Sequence, residues 1–243
     1  QPVLIINAAA YTAVDRAEDE PALCAAVNVD APALLAREAH RRSIPLLHVS
    51  TDYVFSGDQS SPYREDDPAG PINVYGRTKW DGEQAIRAIT SHHVILRASW
   101  IVSPYRTNFI KTMLRLAAER DVIAVVADQI GSPTSADDLA TALLTIVDRH
   151  FDGGGLTPGT FHFSNAGVAT WADLAEKVMA VSAAFGGPSA EIKRIESKDY
   201  PTKARRPLSS RLDTQKIRDR YGILARNWQE AVTDIVKDLG GKV

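Results

Sequence analysis

The 243-residue sequence holds a single cysteine, Cys24, so no internal disulfide and no pair of thiolates for a metal or redox site can form. A reducing cytoplasm is the expected setting. An excess of one charge is also lacking. The 28 Lys and Arg oppose 30 Asp and Glu for a formal net charge of −2, which argues against a protein whose main work is coating nucleic acid. No apolar run is long enough to span a bilayer, and the opening Gln1-Pro-Val-Leu-Ile-Ile lacks the basic flank of a signal peptide, so no membrane association is expected. The six histidines, His92 and His93 among them, show no ligand spacing with acidic residues, and no metal ligand is assigned. Internal repeats and low-complexity tracts are missing. So is a G-x-x-G-x-x-G turn between a strand and a helix, the element that holds a pyrophosphate on a helix N-terminus. The glycine cluster of residues 152–159 follows a helical pattern and reads as a surface loop.

What remains is ordinary for a globular protein: 44% hydrophobic and 24% charged residues, in a chain long enough to bury a substantial core. Short apolar runs at 3–6, 45–50, 93–97, 122–126 and 160–163 alternate with helical patterns, the first an Ala-rich stretch reaching about Arg42. Later helices are expected over 74–89, 108–119 and 137–149. Strands separated by helices of ten or more residues call for right-handed crossovers, hence an α/β fold with a doubly wound parallel sheet. The rhythm changes after Asn165. A helix over 171–184, a strand at 191–195 and two helices near 213–221 and 228–239 read as a smaller cap. The expected division is a nucleotide-binding domain over 1–165 and a substrate-binding domain over 166–243, with loops from 101–135 contributing.

One pair stands out in Asn73-Val-Tyr-Gly-Arg-Thr-Lys-Trp-Asp-Gly-Glu83. On a helix, Tyr75 and Lys79 lie one turn apart on the same face. A free phenol is a poor proton shuttle at neutral pH, and a nearby ammonium is expected to lower its pKa. Alone the spacing is common. Its context is Val49-Ser-Thr-Asp-Tyr-Val-Phe55, at the carboxyl end of an inner strand where open α/β sheets bind ligands. There a Thr51 hydroxyl could hydrogen-bond the oxygen that Tyr75 protonates, although Ser50, Thr51 and Asp52 also read as a turn cap. Small side chains in Asn7-Ala-Ala-Ala-Tyr-Thr12 allow a flat ligand close to the backbone.

Seven segments in this order are similar to the extended short-chain dehydrogenase/reductase superfamily, with a finer resemblance to the dTDP-4-dehydrorhamnose reductase family. They are NAAAYTAVDRAE (7–18), VNVDAPALLA (27–36), STDYVFSG (50–57), YGRTKWDGE (75–83), LRASWI (96–101), DQIGSPTSADDLA (128–140) and ARRPLSSRLDT (204–214). The resemblance implies a Rossmann-like fold and NADPH-dependent reduction of a dTDP-linked 4-keto-6-deoxysugar, with NADH as the alternative cofactor. Tyr75 would be the general acid, Lys79 its tuner and a donor to the nicotinamide ribose, and Thr51 the partner of the reacting carbonyl. Ala9, Ala10 and Tyr11 match residues lining the cofactor, and Asp52, Tyr53, Trp100 and Val14 match substrate contacts. Arg206, with Lys203, Arg205 and Arg211, suits a diphosphate because guanidinium groups bind oxygens in pairs.

By the same resemblance the sequence starts at about the fourth strand of the family's sheet, with roughly fifty residues expected upstream if βα units have their usual size. That stretch would include the glycine-rich turn and the residues that choose NADPH or NADH. Some family members are dimers sharing a Mg²⁺ held by glutamates. A homodimer is therefore an expectation, while no Mg²⁺ ligand set maps here, one matching position being Asp137. Other readings are another nucleotide-sugar reductase or epimerase, and a non-catalytic regulatory subunit similar to the beta subunit of methionine adenosyltransferase.

Overall fold

The computed structural model describes residues 2–240. In chain order the longer strands are β1 (Ile5–Asn7), β2 (Leu46–Thr51), β3 (His93–Ala98), β4 (Val122–Val126), β5 (Gly159–Phe163) and β6 (Glu191–Ile195). The helices are α1 (Val14–Ala17), α2 (Pro21–Ala25), α3 (Ala31–Arg42), α4 (Val74–Ile89), α5 (Phe109–Ala117), α6 (Ala136–Arg149), α7 (Trp171–Ala184), α8 (Gln215–Tyr221) and α9 (Trp228–Leu239).

The central sheet is parallel, in the order β1-β2-β3-β5, with Asn7 opposite His48 and Thr51 opposite Ala98. Every residue of β3 is buried, as the continuous apolar run of a strand covered on both faces requires. β4 departs from the expected alternation. It pairs with β6 in a separate two-stranded parallel sheet. Its burial explains why: Ile123 and Val125 are buried while Val122 and Ala124 are exposed, so only one face of the strand is covered.

The Ala-rich stretch is also not one helix. Pro21 restarts it at the first position of α2, and a wide π turn over Ala26–Asp30 separates α2 from α3.

The chain divides into two compact units that interleave along the sequence. The first contains the chain up to Ala98, Thr141–Phe163 and Thr202–Ile223. Its core packs Ala36 and Ala39 of α3 and Ile86 of α4 on Leu46 and Ile95 of the sheet. Each of the Leu and Ile side chains contributes about 1.5–3 kcal/mol on leaving water. The segment 202–223 belongs here because its backbone pairs with the loop after β2: Tyr63 N–H donates to Arg211 O at 2.8 Å, and Asp213 N–H to Tyr63 O at 2.7 Å. The second unit contains Ser99–Ala140, Ser164–Pro201 and the chain from Leu224. Its core joins buried side chains of α5, α7 and α9, such as Ile110, Val178 and Val232, with Ile123 and Val125 of β4. No helix among the described residues is long and apolar enough to cross a membrane.

Candidate active site

The expected reacting residues converge in the first unit, at the carboxyl end of β2 and the start of α4. Thr51 is the last residue of β2 and caps the 3₁₀ turn Asp52–Val54, its Oγ1 accepting from Tyr53 N–H at 3.2 Å. The same hydroxyl donates to Asp52 Oδ1 at 3.0 Å and is near enough to the Tyr75 phenol to favour its ionised form.

Two glycines allow this closeness. A Cβ on Gly76 would stand 2.1 Å from Tyr53 O, and one on Gly82 would stand 2.0 Å from Asn28 O, so α4 presses its backbone onto both the 3₁₀ turn and the π turn. The N-terminus of α4 is satisfied by Asn73 Oδ1, which accepts from Gly76 N–H at 2.8 Å, and by Glu18 Oε1, which accepts from Val74 N–H at 2.9 Å.

Burial dominates the electrostatics. It pushes the Tyr75 phenol up to about 12, with the Thr51 hydroxyl pulling the other way. It pushes the Lys79 ammonium down to about 8, against the pull of Glu83. The phenol is thus raised by burial where a lowering by the nearby ammonium was expected. Lys79 is 1% exposed, its Nζ donates to Val49 O at 2.8 Å, and it lies 3.2 Å from His48 Nε2, so its own charge is what burial weakens. Asp52 is buried too, which raises its carboxyl to about 6, and among the described residues its Oδ2 has no hydrogen-bond partner. The Tyr53 ring meets Tyr75 edge-on at 5.7 Å.

The cofactor-lining candidates follow β1. Ala9 is exposed and Ala10 half-buried; Tyr11 N–H donates to Asn28 Oδ1 at 2.8 Å, and its hydroxyl to Glu20 Oε2 at 2.6 Å. The two alanines leave a methyl-sized surface partly open to solvent. Val14 opens α1 and is half-buried.

Arg206 already holds a carboxylate: its Nη1 and Nη2 donate to Asp15 at 3.2 and 2.7 Å. It is close enough to Tyr53 to favour that residue's phenolate, although burial, the larger influence, raises the phenol. Trp100 is set apart from these residues by belonging to the second unit. There its indole is 9% exposed and stacks on Trp171 at 3.7 Å, with Gly131 against its edge. Its backbone takes a left-handed φ of 46°, strained for an aromatic residue.

Several positioning residues escape reasoning from sequence. Asn28 ties Tyr11 to α4, its Nδ2 donating to Tyr11 O at 3.1 Å and to Thr78 Oγ1 at 3.2 Å. Glu83 anchors α4 to the sheet: it accepts from Ser50 Oγ at 2.6 Å and binds Arg97 at two points. Burial pushes the Glu83 carboxyl up, but Arg97, Arg87 and Ser50 together hold it below the usual range. Asn7 and His48 complete the set. Glu83 and Arg97 do lie inside the quoted segments 75–83 and 96–101, but nothing local marks them as partners.

The family described as RmlD substrate binding domain matches residues 1–240. A dTDP-4-dehydrorhamnose reductase of Sinorhizobium fredii is 45% identical over 236 residues, 97% of this chain and 80% of the relative. One of Escherichia coli is 38% identical over 241 residues, 98% of this chain and 80% of the relative. Among solved structures, a dTDP-4-dehydrorhamnose reductase of Clostridium acetobutylicum superposes with a TM-score of 0.91 at 32% identity, covering 98% of this chain and 81% of that one. One of Bacillus anthracis, in complex with NADP, superposes at 0.89 with 33% identity and the same coverage.

Proposed function

The chain belongs to the RmlD substrate binding domain family, and on that premise we propose that it is an NADPH-dependent oxidoreductase reducing dTDP-4-dehydro-L-rhamnose to dTDP-L-rhamnose. The observation that carries this reading is the closeness of the Tyr75 phenol to the Thr51 hydroxyl at the carboxyl end of β2, with Lys79 one helical turn along from Tyr75.

The role of each residue follows from its surroundings. Raised to about 12, Tyr75 keeps its proton at neutral pH and is a donor by default. An alkoxide is far more basic than a phenolate, so transfer from Tyr75 to the sugar oxygen runs downhill. Thr51 positions the phenol, and by turning its own O–H away from Asp52 it could donate to the same oxygen. Ala9, Ala10, Tyr11 and Lys79 would hold the nicotinamide half of NADPH, which when bound supplies the hydride. Asp52, Tyr53 and Val14 would face the sugar, and Arg206 the diphosphate. For Trp100 a substrate contact rests on the family resemblance alone.

The test is loss of NADPH absorbance on adding dTDP-4-dehydro-L-rhamnose. Turnover that disappears in Tyr75→Phe supports the proposal; no turnover with the unaltered protein overturns it.

A further inference from the structure

Four hydrogen-bonded contacts run in line from β1 to α4, and their polarity can be read from one end. Ala9 N–H faces an Asn7 side-chain atom at 3.1 Å, and a backbone N–H can only donate, so that atom is the Asn7 oxygen. The Asn7 amide nitrogen then faces His48 Nδ1 at 3.0 Å. An amide nitrogen also only donates, so Nδ1 accepts, and a neutral His48 carries its proton on Nε2. Burial, with the charge of Lys79 second, holds the His48 pKa well below its ordinary value, so the ring is neutral. Nε2 lies 3.2 Å from Lys79 Nζ.

The polarity therefore sets an N–H against the lysine. An ammonium has three protons and no lone pair, so it opposes Nε2–H; a free amine accepts from it. One of the amine's own two protons then serves Val49 O, at 2.8 Å. Moving the imidazole proton to Nδ1 would face it to the Asn7 amide protons, and turning the amide to relieve that would face those protons to Ala9 N–H. Each rearrangement trades one donor–donor contact for another.

We propose that His48, locked by Asn7 as its Nε2–H tautomer, is a positioning residue that orients Lys79 Nζ and favours its free-amine form, leaving one N–H of Lys79 directed by the network. The catalytic use of Lys79 rests on the reductase reading; the polarity of the network does not. The ionisable groups acting on Lys79 besides His48 are Glu83 on its own helix and Cys24 from α2, and both favour the ammonium. Burial opposes them and brings Lys79 to about 8, in the direction the tautomer also drives it.

The experiment is heteronuclear NMR of protein labelled at histidine and lysine nitrogens. His48 is expected to show a pyridine-like Nδ1 and a pyrrole-like Nε2 across neutral pH. In Asn7→Asp the new carboxylate accepts from Nδ1–H, so the two signals should exchange character. Because that variant also adds a charge, His48→Gln provides the neutral comparison. Its amide oxygen can accept from an ammonium, and the Lys79 midpoint should rise by about one pH unit. A wild-type His48 protonated on Nδ1 overturns the proposal, as does an unchanged Lys79 midpoint in His48→Gln. The tautomer measured on the unaltered protein decides even where a variant fails to fold. No step depends on turnover, so failure of the reductase reading would be seen separately in the NADPH assay.

Discussion

Glu83 holds Arg97 at two points, Oε1 to Nε at 2.9 Å and Oε2 to Nη2 at 2.8 Å, with both side chains at most 1% exposed. The pair fastens the helix bearing Tyr75 and Lys79 to the third strand of the sheet. Removing one partner of such a pair strands the other charge away from water. Glu83→Gln is expected to lower the unfolding free energy by about 3–5 kcal/mol, read from urea denaturation. A loss under about 1 kcal/mol would mean the buried pair contributes no more than a surface one.

Alanine normally stabilises an exposed helix interior over glycine by about 1 kcal/mol. In α4 the sign should reverse. With 2.1 Å to Tyr53 O at Gly76 and 2.0 Å to Asn28 O at Gly82, a methyl group cannot fit unless the helix moves off the turns it presses on. Gly76→Ala and Gly82→Ala are each expected to destabilise, and Gly76→Ala should also cut kcat, because it moves Tyr75 relative to Thr51. A rise in melting temperature for either variant would contradict the close approach.

The limits of α4 were readable because Asn73 and the periodic positions after it are local signals, and 74–89 is the observed helix. The place of β4 was not. Val122-Ile-Ala-Val-Val126 resembles a strand covered on both faces, and its one-sided burial depends on pairing with Glu191–Ile195, 69 residues away in register. Nor could sequence return 202–223 to the first unit, since that requires the backbone pairing of Tyr63 with Leu212. At the site, Thr51, Tyr75 and Lys79 announced themselves through motif spacing. His48 gave no such signal, because a polar residue inside an apolar run shows its role only when the neighbouring strand and helix bring its partners; Asn7 opened a quoted segment, yet nothing local paired it with His48. The same reason hid the weakened charge of Lys79, which is a property of burial and not of the four-residue interval to Tyr75.

Asp52 sets a pH dependence of stability with a definite sign. Its folded pKa, about 6, lies above the ordinary 3.8, so between these values the folded state binds more protons than the unfolded one. Its contribution is fully present below 3.8 and is lost as pH rises through about 6, roughly 3 kcal/mol in all at 1.36 kcal/mol per unit. Asp52→Asn should lack this decline. The difference in unfolding free energy between variant and wild type, followed from pH 3.8 to above 6, should therefore drift in favour of the variant. A constant difference would show that the carboxyl titrates alike in both states.

Arg206 is expected to serve binding rather than chemistry. Its guanidinium grips Asp15 at two points, and a diphosphate offers the same paired oxygens with more charge. Arg206→Ala should raise KM for the nucleotide sugar about tenfold with little change in kcat, the signature of lost uniform binding. Asp15→Asn, which loosens the grip, should lower KM. Equal falls in kcat and kcat/KM for Arg206→Ala would assign it to the transition state instead.

Tyr75→Phe and Thr51→Val separate proton supply from placement. Phenylalanine keeps the ring and its edge contact with Tyr53 at 5.7 Å but has no proton to give, so kcat should fall by about 10²–10⁴ with KM little changed. Valine keeps the shape of Thr51 but removes the hydroxyl beside the phenol and the cap of the 3₁₀ turn. The phenol would keep its proton yet lose its aim. Thr51→Val should therefore lower kcat less than Tyr75→Phe, and the double variant should be no slower than Tyr75→Phe alone, because placing a proton donor is worthless once the proton is gone. Fully additive losses in the double variant would show that Thr51 acts on the sugar independently of Tyr75, and their closeness would then be incidental to the chemistry.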